Sequence, residues 1–153
     1  MTNGFRNIYK IARESAGLTQ EKAAELIDIS VRSLRMYEYN ERTPNDEVVL
    51  KMIEIYNAQY LAYQHLKTKT KVGKEHLPEI EITDLSQSVL AFLDECADLD
   101  KIEHTLIKIS KDNKIDKTEI DDWNRTAKEI QDVISTGLKI IFSRKRWYLW
   151  LVT

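Results

Sequence analysis

The sequence predicts an all-α protein in two parts, a five-helix domain followed by a long two-helix antiparallel hairpin. Three observations carry that prediction. Only four Gly and two Pro interrupt 153 residues. Apolar residues recur at steps of three and four, the period of a helix face. No strand-rich segment and no internal repeat is present.

The first helix is predicted within residues 5–16, where Phe5, Ile8, Ile11 and Ala12 share a face and Gly17 ends it. Thr19 caps the second, QEKAAELI, with acidic Glu21 in its first turn. Asp28-Ile29-Ser30 breaks that helix, and Ser30 caps the third, from 31 to about 39. Pro44 closes a polar loop before DEVVLKMIEIY, and AQYLAYQHLK forms a fifth, short helix. Residues 67–83 read as a basic linker: Lys67, Lys69, Lys71 and Lys74 accompany Gly73 and Pro78, with almost nothing to bury. The EIEI inside it is too short to class.

Beyond Asp84 the pattern lengthens. Leu85, Val89, Phe92, Cys96, Leu99, Ile102, Leu106 and Ile109 form one stripe; Ile120, Trp123, Ala127, Ile130, Ile134, Leu138 and Ile141 form another. Each fits a helix roughly 35–40 Å long at ~1.5 Å per residue. A polar break at KDNK joins them into a hairpin over residues 84–142. Residues 143–153 make a basic-aromatic tail, with Trp147, Tyr148 and Trp150 behind Arg144-Lys145-Arg146. Docking on the helices or a disordered end suits it better than a membrane contact, and the sequence does not choose between those two.

Composition narrows the function. Net charge is −2, but residues 1–76 hold 12 Lys/Arg against 10 Asp/Glu, and residues 77–153 hold 11 against 15. The first half therefore suits a nucleic acid modestly better than the second. No apolar signal core or bilayer-length span is present, and lone Cys96 cannot form an internal disulfide. A cytoplasmic protein is the expectation. His65, His76 and His104 share no metal-ligand spacing with each other or with Cys96. No phosphate loop, nucleophile elbow or recognisable carboxylate pair is present, so neither enzymatic activity nor a cofactor is expected. DNKIDKTE (112–119) mimics half a calcium loop, but Lys108 falls at its first ligand position. Asn113 as a helix end, Asp116 as a cap and Glu119 completing a capping box explain it better.

The informative stretch is DISVRSLRMYE, residues 28–38. On a helical wheel Leu34 and Tyr37 share one side, with Val31 at its edge; Arg32, Arg35 and Met36 share the other. Ala23, Ala24 and Ile27 supply the apolar wall behind Leu34, and their small size permits a steep crossing. A short helix so held, with two arginines outward, can enter a DNA major groove and bond guanine O6 and N7.

From Arg13 to Pro44 the chain resembles the Xre/Cro, phage-repressor class of helix-turn-helix domains. GLTQE opens helix two, Ala24 lies inside it, Ile29-Ser30 opens helix three, and Tyr37-Glu38, Glu41-Arg42 and Pro44 end the motif. The resemblance spans about 50 residues, Phe5 to Tyr56. It implies a five-helix, lambda-repressor-like domain in which helix three reads bases and Gln20 contacts backbone and first bases. Gln20, Ser30, Val31, Arg32, Arg35 and Met36 are the DNA-binding candidates, with Lys67 and Lys69 for phosphate. It also implies that Arg13 meets Glu38 as a structural pair. Asp28 stands where Gly or Asn is usual, and Val31, often polar in the family, is suited either to a thymine methyl or to a shift of readout to Arg32.

Two stripes offer more apolar surface than one hairpin can hide, so the hairpin is expected to join two copies in a four-helix bundle. The function expected is a sequence-specific repressor of the phage or mobile-element kind, binding a double-stranded operator as a dimer. The rival is an adaptor that keeps the fold without binding DNA, favoured by the low positive charge. Any small-molecule effector is unspecified.

Overall fold

A computed structural model describes residues 7–143. Phe5 and the basic-aromatic tail from Arg144 onward lie outside the described residues. Within them eight α-helices follow one another without a strand: α1 (Ile8–Ser15), α2 (Gln20–Ile27), α3 (Val31–Glu38), α4 (Asp46–Tyr56), α5 (Tyr60–Lys69), α6 (Lys71–His76), α7 (Leu85–Ile109) and α8 (Ile120–Ser143). Two compact units meet in sequence between Leu77 and Pro78.

The first unit is built by local caps. Asn7, Thr19, Ser30 and Asn45 each place a side-chain oxygen on free amides at the start of α1, α2, α3 and α4. Asp46 and Glu47 add negative charge where the α4 dipole is positive. Left-handed residues end the segments: Gly17, Asp28, Asn40 and Asn57. Helix α1 packs on α3, α4 and α5, and α2 packs on α3 and α4. Tyr9, Ile27, Leu34, Met52 and Leu61 are fully enclosed. Each buried aliphatic side chain of this size contributes about 1.5–3 kcal/mol.

The segment expected to be a linker is largely helical. Helix α5 continues to Lys69, and α6 folds back on it. Gly73 is the reason, since a Cβ there would stand 1.9 Å from the Leu66 carbonyl oxygen. The glycine that reads as a breaker is a point of close backbone approach. Thr70 completes the corner, its hydroxyl donating to Leu66 O and accepting from Gly73 N. Residues 78–84 have no regular structure.

In the second unit α7 and α8 form the expected hairpin. Phe92 lies against Gly137, and Glu95 near Glu129 and Asp132, so partners descend along α8 as α7 ascends: the helices are antiparallel. A single 3₁₀ turn (110–112) and left-handed Asn113 end α7. Asp116 accepts from Thr118 N and Glu119 N, and its own amide donates to Glu119 Oε2, a reciprocal capping box. The seam is narrower than the stripes. Ser88, Ile102 and Ile109 are buried on α7 and Thr126 and Thr136 on α8. Of the first stripe only Ile102 and Ile109 are buried, while Leu85 and Val89 are exposed. Trp123 and Ile134 on α8 are exposed as well.

Candidate nucleic-acid interface

The turn between α2 and α3 sets the site. Asp28 adopts φ 64°, ψ 51°, and its amide and that of Ile29 return to carbonyls of the last turn of α2. Ser30 Oγ then accepts from Ser33 N at 3.0 Å. Three residues thus redirect the chain, with the Asp28 and Ile29 amides satisfied within the turn. Ala23 and Ala24 are buried at the crossing, and Lys51 Nζ clamps the end of α2 through Ile27 O at 3.0 Å.

With Leu34 and Tyr37 buried, the opposite side of α3 faces outward. Arg32 and Arg35 are exposed, Met36 is half-buried, and Val31 packs partly against the core. Ser30 is the α3 cap. Arg32 makes no hydrogen bond or ion pair among the described residues, whereas Arg35 is held. Its Nε donates to Gln20 Oε1 at 3.0 Å, and its Nη2 lies 3.7 Å from Glu21 Oε1.

Behind this face Arg13 and Glu38 meet. Arg13 Nε donates to Glu38 Oε1 at 2.6 Å, and Nη2 to Oε2 at 3.0 Å. Arg13 Nη1 donates to Leu18 O at 2.7 Å, tying α1 to the entry of α2. Both side chains are buried, and the bonds to Glu38 raise the Arg13 pKa above its ordinary value against the opposing effect of burial. Gln20 Nε2 donates to Glu38 Oε2 at 2.7 Å. Arg13, Glu38, Gln20 and Arg35 therefore form one continuous hydrogen-bonded row from α1 to the outer face of α3. Spacings of 25, 18 and 15 residues have no periodic signature, so sequence inspection finds the first pair by resemblance and misses the rest.

Lys67 and Lys69, the residues expected to contact phosphate, each have partners within the protein. Lys67 Nζ donates to the carbonyls of Lys74 and Leu77 at the end of α6. Lys69 Nζ donates to Asn40 Oδ1 at 2.7 Å and sits 5.8 Å from the centre of the Tyr9 ring. Burial, helped by Lys74, lowers its pKa. Both ammonium groups are engaged by the protein itself. Asn7, which sequence inspection passed over, donates to Tyr37 O and to Asn40 Oδ1 and so fixes the end of α3. His65 is likewise internal, its Nδ1 2.7 Å from the Tyr9 hydroxyl. Burial pushes the Tyr9 hydroxyl well above its usual pKa.

Carboxylates of Glu95, Glu129 and Asp132 gather within 4.8 Å of one another between α7 and α8. Burial first, and then Asp132, raises the Glu95 pKa. Cys96 beside them is half-buried. The segment resembling half a calcium loop is occupied by the capping box.

The helix-turn-helix family profile matches residues 10–61. Residues 10–61 are an Xre-like helix-turn-helix domain. Its matched span holds all but the first two residues of α1, then α2 to α4, the Asp28 turn, the row from Arg13 to Arg35 and the start of α5. The whole chain is similar to the HTH-type transcriptional regulator ImmR of Bacillus subtilis (strain 168). The two are 28% identical over 137 residues, which cover 90% of this chain and 93% of that protein. No solved structure matches the chain. No helix among the described residues is long and apolar enough to cross a membrane.

Proposed function

We propose that this protein is a DNA-binding transcription regulator that acts as a repressor, two copies occupying an operator and blocking a promoter. The observation that carries the reading is the outward face of α3, where Arg32 and Arg35 stand exposed on a helix held by a three-residue turn. Guanidinium groups on such a helix match guanine O6 and N7 in the major groove. The relative from Bacillus subtilis, aligned over nearly its full length and bearing a transcriptional regulator's name, supports the same role.

Dimerisation through residues 84–142 is part of the proposal. Leu90, Leu93 and Ile107 of α7 are each more than half exposed, an unusual load for a two-helix hairpin in water. A second hairpin would cover it as a four-helix bundle and would carry two reading helices to half-sites one DNA turn apart. The test is selection of bound duplexes from random DNA, followed by titration of the recovered duplex across salt concentrations. Preferred sites with two-fold symmetry, and an affinity falling steeply with salt as phosphates are neutralised, are expected. An adaptor that keeps the fold would yield no preferred duplex.

A further inference from the structure

We infer that Glu38 is a positioning residue for base readout, holding Arg35 ready through Gln20; the inference rests on the DNA-binding reading above. The chemistry of the row fixes its direction. A carboxylate accepts hydrogen bonds and donates none, and both Glu38 oxygens accept from Arg13. The Gln20 amide must therefore turn its nitrogen to Glu38, as the 2.7 Å contact records. Its oxygen is left facing Arg35, whose Nε donates to it at 3.0 Å. The charge buried behind α3 thus decides which end of an amide meets the reading arginine.

The consequence for Arg35 is geometric. With Nε used by Gln20 and Nη2 near Glu21, side-on bonding through Nε is blocked. The outer N–H bonds of the two η nitrogens remain for end-on contact with a guanine edge. A side chain held this way loses less freedom on binding than a free one. Arg32, one turn earlier and exposed, has no such partner among the described residues. The two arginines should therefore differ: discrimination at the Arg35 base depends on Gln20 and Glu38, and discrimination at the Arg32 base does not. A purely structural role for Glu38 would weaken both alike.

The probe is the best duplex recovered by selection, with every single base-pair variant. Arg32→Ala and Arg35→Ala first identify the base position each arginine reads. Gln20→Ala and Glu38→Gln are then expected to flatten preference at the Arg35 position by about three- to tenfold, the scale of ordering one long side chain. The Arg32 position should keep its preference, and neither change should have further effect in an Arg35→Ala background. Any phosphate contact made by Gln20 would lower all duplexes together and leave these ratios unchanged. Equal losses at both positions, or an unchanged ratio at the Arg35 position, overturn the proposal. If Glu38→Gln does not fold, half-buried Gln20 at the start of α2 carries the test. In the DNA-free protein, the Arg35 Nε–H resonance should exchange slowly with water in the wild type and rapidly in Gln20→Ala. An unchanged resonance would show that the row does not hold Arg35. If no duplex is preferred, the DNA reading itself has failed, while the resonance still reports on the row.

Discussion

In the first unit Tyr9, Ile27, Leu34, Met52 and Leu61 are fully enclosed, whereas α7 and α8 bury only Ile102 and Ile109 among their large apolar side chains. The difference follows from the number of neighbours. A helix such as α1 is covered by three others, α3, α4 and α5, but each helix of a hairpin has one. Three of the five side chains that α7 and α8 bury are small, Ser88, Thr126 and Thr136, which leaves most of the larger ones flanking the seam. The first unit closes its own core. The second leaves Leu90, Leu93 and Ile107 outward, the surface on which the proposed assembly rests.

Phe92→Asp attacks the second unit where its ring lies against Gly137. A charge placed in an apolar seam costs several kcal/mol, so this variant should sediment as a monomer at micromolar concentration, where the proposal expects the intact chain to sediment as a dimer. A chain ending at Leu77 should be a folded monomer too. A dimer in either case would remove the hairpin from assembly.

Glu38→Ala acts on the first unit. It leaves Arg13 buried without its partner, with an expected loss of about 3 kcal/mol. Six of the seven tyrosines lie before residue 64 and Trp123 is on α8, so with Trp147 and Trp150 replaced by Phe the two units carry separate reporters. The tyrosine-reported urea transition should move and the tryptophan-reported one should not. A common shift would mean that the units unfold together. The double change with Arg13→Ala should lose less than the sum of the two.

Gly73→Ala is expected to cost about 2 kcal/mol by overpacking, because its Cβ would strike the Leu66 carbonyl. The tyrosine transition again reports it. An unaffected variant would restore residues 67–83 to the role of a simple linker.

The smallest effect belongs to Glu95. Burial and then Asp132 raise its folded pKa, so folding favours the neutral acid. The penalty is absent below the ordinary carboxylate range and grows as pH rises through the raised value. The tryptophan transition should therefore weaken with rising pH across that window, and Glu95→Gln should flatten the slope. Asp116, held low by the hydroxyl and amide of Thr118, acts in the opposite sense at lower pH.

What was legible in the sequence was local. Thr19, Ser30 and Asp28 announce the boundaries of α2 and α3 because capping depends on the nearest amides. The three-four period announces α7 and α8. What was illegible depended on neighbours distant in sequence. Gly73 looks like a breaker until the Leu66 carbonyl is beside it. Lys67 and Lys69 look free until Leu77 O and Asn40 Oδ1 engage them. An apolar stripe marks positions that want cover without naming the cover, so the Ser88–Ile102–Ile109 seam was not distinguishable from the flanks. Gln20 could be assigned to DNA by resemblance, but its bonds to Glu38 and Arg35 join three helix positions that no spacing rule connects.

The most direct measurement is site selection from random DNA by the wild-type chain and by Arg32→Ala, with affinities for the recovered duplex. The wild type should select a two-fold symmetric site. Arg32→Ala should lose preference at one base position in each half-site and about 1–3 kcal/mol of specific binding. An unchanged site and affinity in Arg32→Ala would contradict the reading of α3 as the helix that recognises DNA.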